Sequence, residues 1–457
     1  MDFKIITDRA FILRQLGQKQ TTKKLVFEVI KIIYKIIFLT KQPSYKEELN
    51  FQLFEYYQHD CVVIFLMIPY HHIIKKYLKT MRIIDNPKQV IGIIGGGIFG
   101  ILTALEVAKK GYSVIIFEKE KEIMTGASLV NHGRVHMGYH YPRDKKTVIQ
   151  SLKAKAPFEK FFGKSVVRKI NNYYMVAKEG SMTNPKNFLS FCKKMHLPHK
   201  ISWPSDLKIS KEKIAVSVKV PETIFDANRK RNFLLKKISK EKNITLLTNT
   251  QVIDLKKDNN GFLVSHGLGD NKETTNCAAL VNATYGGINH INNLLGLPLQ
   301  TFQYELCELP VTSVPWKNTG WMIMDGPFFS AMPFGYSKNH LFYDVELSVL
   351  ERTIGKLPNF KFGVNYYNTE ERRVARFNKY KEKWRPWIGE IKDCRYLYSM
   401  YVTRIVLPEA EKTDTRPTIT KELLPGFWHI FSGKVTTSVP VAIEISNKID
   451  KFLKRKV

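Results

Sequence analysis

The stretch VIGIIGGGIFGILTALEVAKKGYSVIIFEKE, residues 90–120, leaves little freedom in how it folds. Its opening apolar run suits a strand buried on both faces. The segment after the glycines has helical periodicity and stops at Gly111, and SVIIF repeats the buried-strand pattern. Between strand and helix, Gly95, Gly97, Ile98, Phe99 and Gly100 fit G-x-G-x-x-G. Gly95 permits the tight turn, Gly97 lets the backbone approach a diphosphate, and Gly100 lets the helix lie close to the sheet. The helix N-terminus adds unpaired N–H groups and partial positive charge. Glu118, followed by Lys119, ends the second strand about twenty residues past the first glycine, where an acid accepts hydrogen bonds from ribose hydroxyls. Strand, turn, helix and acid together specify a dinucleotide site. They leave NAD and FAD both open.

The chain has 457 residues, 44% of them hydrophobic, which suits two lobes plus an appendage. Its formal charge of +31 can signal nucleic acid, an anionic membrane or an anionic substrate. Lys, Ile and Asn all run high together and the basic residues are spread along the chain without a nucleic-acid-binding signature, so a lysine-rich composition is the simpler reading and no nucleic acid is expected. The five cysteines are scattered, without metal spacing. They fit reduced thiols, hence a cytoplasmic compartment, and no metal. The first twenty residues lack a signal-peptide layout.

Residues 1–87 form a basic, amphipathic extension for which helix is expected. In LVFEVIKIIYKIIFL (25–39), Glu28, Lys31 and Lys35 share one helical face, and CVVIFLMIPY (61–70) is a second apolar run. Neither reaches the ~20 apolar residues of a spanning helix. Three readings remain: a peripheral contact with a membrane surface, packing on the main body or loose structure, or a functional chain that starts at Met81. Further on, 243–257, 261–267 and 277–289 contain strands, 371–384 is a charged helix, and 328–348 is a hairpin around Pro-Phe-Gly. The last segment, 426–455, is a strand, a polar loop and a closing amphipathic helix, with Thr436, Thr437 and Ser438 as its expected caps and Pro440 in its first turn.

MTGASLVNHGRVHMGYHYPRD (124–144) is too polar for a core helix and too aromatic for a simple loop. With the glycine turn, it resembles the D-amino-acid oxidase superfamily of FAD-dependent oxidoreductases, and AS..N.G..H.GYHY is similar to L-2-hydroxyglutarate oxidase-like members. The resemblance covers roughly residues 88–457. It implies an α/β fold: a Rossmann-like FAD-binding domain of glutathione-reductase type, with an antiparallel β-sheet substrate domain. The expected boundaries are 88–165, 236–300 and 396–457 for a discontinuous FAD-binding domain, and 166–235 with 301–395 for the substrate domain. It also implies that Ser128 and Asn131 lie near the pyrophosphate and ribityl side, that the Val252 backbone meets adenine, and that Ala283 and Gly286 pass close to FAD. His136 is implied near the isoalloxazine. The last loop departs from the family's glycine-rich pattern. It reads Gly433, Lys434, Val435, Thr436, Thr437. Lys434 either adds positive field near the flavin O2 or is simply solvated.

A flavin takes the hydride, so the protein must aim the substrate and manage a proton. An alcohol needs a base, and His136 is the first candidate, with His132 and His140 competing. Arg134, Arg143, Arg404 and Arg416 are candidate clamps for a substrate carboxylate. Tyr139, Tyr141 and Tyr285 are candidate pocket walls. The expected activity is removal of hydride from a C–OH or C–NH carbon of a small, acidic metabolite or modified sugar, with oxygen or a quinone as acceptor. A flavin monooxygenase fits less well, because the only Gly-Asp pair, Gly269-Asp270, falls in a mid-chain turn. A non-redox flavin mutase and a flavin-binding scaffold are the alternatives. Membrane partitioning of the full chain, set against a chain starting at Met81, separates the N-terminal readings; equal partitioning eliminates membrane contact.

Overall fold

A buried parallel strand must be apolar on both faces, and Val90–Ile94 and Ser113–Phe117 meet that demand by lying at the centre of a six-stranded sheet. The computed structural model describes residues 11–14, 56–58, 61–64 and 89–455, apart from 270 and 414. The chain divides into two units, Met1–Ile84 and Asp85–Val457. In the first, Cys61–Ile64 pairs antiparallel with both Phe11–Arg14 and Tyr56–Gln58. The described part of the extension is therefore strand where helix was expected; its β-branched Val62, Val63 and Ile64 favour that state. The amphipathic stretch 25–39 lies outside the described residues.

In the second unit the sheet order is Ile244–Leu247, Ser113–Phe117, Val90–Ile94, Ala279–Asn282, Phe427–Ser432, Thr418–Leu424. The first five are parallel, and Thr418–Leu424 closes the edge antiparallel. The glycine-turn helix Ile98–Ala108 and the closing helix Ser438–Lys454 share one apolar cluster on one face, joined by Ala227, Leu234 and Ile238 of the helix Ala227–Ile238. The other face is covered by a three-stranded antiparallel meander, Gln251–Lys257, Phe262–Leu268 and Asn271–Cys277, through Val252, Leu255, Phe262 and Val264. The segment 243–257 is thus two strands, broken where Asn249 takes φ +50°.

A second, nine-stranded sheet holds the hairpin Phe329–Pro333 and Asn339–Asp344 around Pro-Phe-Gly, as the alternation predicts. Its long strand Phe302–Ser313 pairs with Arg395–Val406 over most of its length. That pairing moves 396–406 out of the FAD-binding segment expected from sequence and into this sheet. The helix Ala227–Ile238 likewise buries its apolar face in the first sheet's cluster. The charged helix Glu370–Trp384 docks Phe377, Tyr380 and Trp384 on the second sheet, capped by Thr369.

Gly100 is where helix and strand come closest: a Cβ there would lie 2.0 Å from the Gly95 carbonyl oxygen. Gly100→Ala is expected to lower stability by about 2 kcal/mol or more, as overpacking against fixed backbone does. Gly126→Ala, where an added Cβ meets nothing within 4 Å, should change it by less than ~0.5 kcal/mol. Thermal unfolding of both variants checks the contrast.

Candidate active site

Three parallel strands end at one edge of the first sheet, at Gly95, Ala283 and Gly433. Gly95 turns with φ +105°, and its N–H donates to the Phe117 carbonyl. A Cβ on Gly95 would meet the Ala283 oxygen at 2.9 Å, so Ala283 lies directly behind the turn. The glycine-turn helix has no cap of its own. Ser128 supplies one from the histidine-rich segment, its Oγ accepting from the Ile98 N–H at 2.9 Å. A Cβ at Gly97 would close to 3.3 Å on that oxygen. Phe99 follows in the helix's first turn, where backbone N–H groups lack intrahelical partners. Glu118 aims its carboxylate back at the turn, accepting from Gly96 N–H at 2.6 Å and Glu120 N–H at 2.8 Å. Val252 is buried next to these strand ends in one cluster with Ile94 and Phe117. Lys119 faces solvent beside Glu120. Asn131 braces its own loop, receiving the Gly133 N–H and donating to the Ala127 carbonyl. Gly286 sits in a short 3-10 turn facing Thr403.

The loop after Phe427–Ser432 brings Gly433, Lys434, Val435 and Thr436 to the same edge, ahead of the closing helix. Pro440 lies in that helix's first turn as expected. The expected side-chain cap is not formed. Thr437 Oγ1 instead donates to the Lys434 carbonyl, while Thr436 Oγ1 and Ser438 Oγ are buried without a partner. Lys434 is not solvated. It is 2% exposed, its Nζ donates to the Thr147 carbonyl at 3.2 Å, and it lies 5.0 Å from the Tyr141 ring centroid. Burial, with Arg416 nearby, lowers its pKa to about 7 against the pull of Asp144.

His132, His136, His140 and Tyr141 gather at this loop, with His136 5.6 Å from Tyr141 and 6.3 Å from His140 between ring centroids. Burial and the charge of Arg134 hold His132 and His136 well below the usual histidine range, and His140 at about 3. All three are neutral at pH 7. His132 Nδ1 lies 3.4 Å from Ser330 Oγ, its ring meets Tyr343 edge-on, and His132 Nε2 and the Tyr343 hydroxyl have no partner.

The arginines divide. Arg134 is buried beneath the segment, hydrogen-bonded to the Tyr174 hydroxyl. Arg143 is paired with Asp325 at 2.8 Å. Arg404 passes over the Tyr343 ring but is held by Glu305, which also binds Arg352. Arg416 donates through its backbone to Thr147 and through its guanidinium to the Thr415 carbonyl. Tyr139 and Tyr285 are fixed to the Pro198 and Ile405 carbonyls, which makes them braces. Sequence reading passed over Glu222, Tyr174 and Tyr343. Their partners are long-range, 85 and 48 residues away for Glu222, and no local pattern marks them.

A family model for DAO, FAD-dependent oxidoreductase, matches residues 91–339, more than half of the chain. The chain belongs to this family. The FAD-dependent monooxygenase kojA of Aspergillus flavus is 36% identical over 96 residues, 21% of this chain and 22% of that protein. Mitochondrial L-2-hydroxyglutarate dehydrogenase of Dictyostelium discoideum is 33% identical over 70 residues, 15% of this chain and 16% of that protein. The matched chain thus spans less than a quarter of these relatives. Glycine oxidase from Geobacillus kaustophilus shares the fold with TM-score 0.60 at 14% identity, over 79% of this chain and 95% of that one.

The residues suit the family's cofactor, FAD. A diphosphate fits the side-chain-free surface at Gly97 and the helix N-terminus above it. The buried, unpartnered Thr436 and Ser438 hydroxyls and histidine nitrogens provide hydrogen-bonding groups toward which a polar ring system can be held. The charge of Lys434 is present below about pH 7 and lost above it. In the FAD-loaded protein, Lys434→Met is expected to lower the flavin midpoint potential by on the order of 30 mV at pH 6, about tenfold in a two-electron equilibrium. The difference should shrink at pH 8.5; redox titration of both proteins at the two pH values checks it.

Proposed function

We infer that the chain oxidises a C–OH carbon of a small hydroxylated metabolite, and that His136 accepts the hydroxyl proton. FAD, when bound, accepts the hydride. The carrying observation is the placing of His136: its Nδ1 is buried toward Glu222 while the ring keeps 20% exposure, next to the closing loop. A neutral imidazole is ready to take a proton, and an alcohol needs that help where a free amine does not. Lys434, Thr436 and the start of the closing helix supply positive field and donors where negative charge develops on the cofactor. Ser128, Gly97 and the glycine-turn helix hold the diphosphate, and Glu118 the ribose. Arg404 and Arg416 favour an acidic substrate, since the Arg352–Glu305–Arg404 group retains one net positive charge. The name of the hydroxyglutarate dehydrogenase relative supports a hydroxy acid as substrate.

Oxygen or a quinone serves as electron acceptor in this reading, in a cytoplasmic protein whose basic N-terminal segment touches a membrane surface. The FAD-binding domain is assembled from discontinuous segments around the first sheet, and the second sheet forms the substrate domain. Similarity to a monooxygenase favours a second reading, in which oxygen is inserted into the substrate. Labelled oxygen in the product marks that activity; peroxide or reduced quinone without label marks simple oxidation.

His136→Ala should keep its flavin and lose roughly 10²-fold or more in anaerobic flavin reduction by an alcohol drawn from a panel of hydroxy acids and polyols. Because His136 is held below the usual histidine range, its protonation should slow the wild-type enzyme only below pH 6.5, apart from the change near pH 7 that the Lys434 charge brings and that Lys434→Met should remove. Stopped-flow reduction checks both; wild-type rates in His136→Ala would remove His136 from the role.

A further inference from the structure

Beneath the histidine segment, Glu222 is 1% exposed in the short connection between the strands Ile214–Val220 and Ile224–Phe225. Its Oε2 accepts the Met137 N–H at 2.8 Å, and its Oε1 accepts the Tyr174 hydroxyl at 2.8 Å. Asn172 Nδ2 donates to its backbone carbonyl at 3.2 Å. The Tyr174 hydroxyl in turn accepts from Arg134, so a buried cation stands behind the carboxylate. Burial raises the Glu222 pKa, and Arg134 and the two donors oppose that rise. One neighbour of this carboxylate lacks a hydrogen-bonding partner. His136 Nδ1 is buried and unpartnered, 3.9 Å from Glu222 Oε1.

We propose that Glu222 is the positioning residue of His136: its carboxylate holds the ring with Nδ1 protonated and turned inward, leaving Nε2 bare at the accessible edge. The 3.9 Å separation is an ion-pair distance that a small ring turn closes to a hydrogen bond. An imidazole has two tautomers, and a carboxylate beside one nitrogen selects the form in which that nitrogen carries the proton. The arrangement rests on the reading of His136 as proton acceptor. The substrate hydroxyl proton then moves to Nε2, and Glu222 stabilises the imidazolium that forms without taking its proton. The Met137 N–H and the Tyr174 hydroxyl fix the two carboxylate oxygens, and the charge of Arg134 opposes the rise that burial gives the Glu222 pKa. The charged and titratable groups that act on His136 from around it are Arg134, His140, Lys434 and His132, all of which disfavour its protonation and none of which is an acid. Glu222 is therefore the sole carboxylate among the described residues paired with this histidine.

The test uses the FAD-loaded full chain carrying ring ¹⁵N-labelled histidine, with the His136 signals assigned by their loss in His136→Gln. At pH 7 the wild type should show His136 as the Nδ1–H tautomer. Glu222→Gln should move it toward Nε2–H and lower alcohol-driven flavin reduction about 10²-fold. Glu222→Asp should restore part of both. An Nε2–H tautomer in the wild type, or a His136 signal unchanged in Glu222→Gln, overturns the proposal. Should Glu222→Gln not fold, the wild-type tautomer decides: Nδ1–H supports the proposal and Nε2–H overturns it. The readouts separate the two ideas. A His136→Gln protein that is reduced at the wild-type rate sinks the proton-acceptor reading, whereas the tautomer signal reports on Glu222 alone.

Discussion

The hydrogen bond from Ile98 N–H to Ser128 Oγ ties the two halves of the site together. The donor belongs to the first turn of a helix that follows a glycine turn, and the acceptor to the segment that carries the histidines. Lys230 secures the acceptor from below: it is fully buried, and its Nζ donates to the Ser128 carbonyl at 3.2 Å while facing the Phe225 ring. Its cost is large, since burial pushes its pKa well below the usual lysine range. The helix position is itself fixed by Gly100 against Gly95 and by the apolar face of the closing helix. One apolar cluster therefore sets the relative places of the diphosphate cradle, the histidine segment and the last loop.

A second constraint comes from charge. The cations beneath and beside the segment are held by buried acids: Arg134 through Tyr174 and Glu222, Arg143 by Asp325, Arg404 by Glu305. Arg143 and Arg404 meet their acids directly, while Arg134 reaches Glu222 only through the Tyr174 hydroxyl. Around the segment and the last loop, three histidines, the Tyr343 hydroxyl, Thr436 and Ser438 keep buried neutral atoms without a hydrogen-bonding partner, and Arg134 Nη2 is a charged one. Lys434 lies over the Tyr141 ring and donates to the Thr147 carbonyl, and its charge titrates near neutrality.

The parallel strands, the glycine turn and the closing helix were legible because they obey local rules: buried strands are continuously apolar, and glycines stand where a Cβ would strike backbone. Glu118 was found from its spacing, and the hairpin 328–348 from its alternation around Pro-Phe-Gly. The placing of 396–406 was not legible, because a strand such as Arg395–Val406 carries nothing in its own sequence to say which sheet it joins. Lys434 could be weighed as buried or solvated only in three dimensions, since its burial depends on Tyr141 and Thr147 nearly three hundred residues earlier. Glu222 was invisible for the same reason. The cap expected at Thr436–Ser438 is not formed: Thr437 donates to the Lys434 carbonyl, and the neighbouring hydroxyls are buried without a partner.

The central claim is that the glycine turn, the histidine segment and the last loop together enclose one FAD. The visible absorbance spectrum of the purified full chain, with the released cofactor identified by chromatography, tests it most directly. The account predicts a yellow protein that releases one FAD per chain. A folded but colourless protein that takes up NAD and refuses FAD would contradict it.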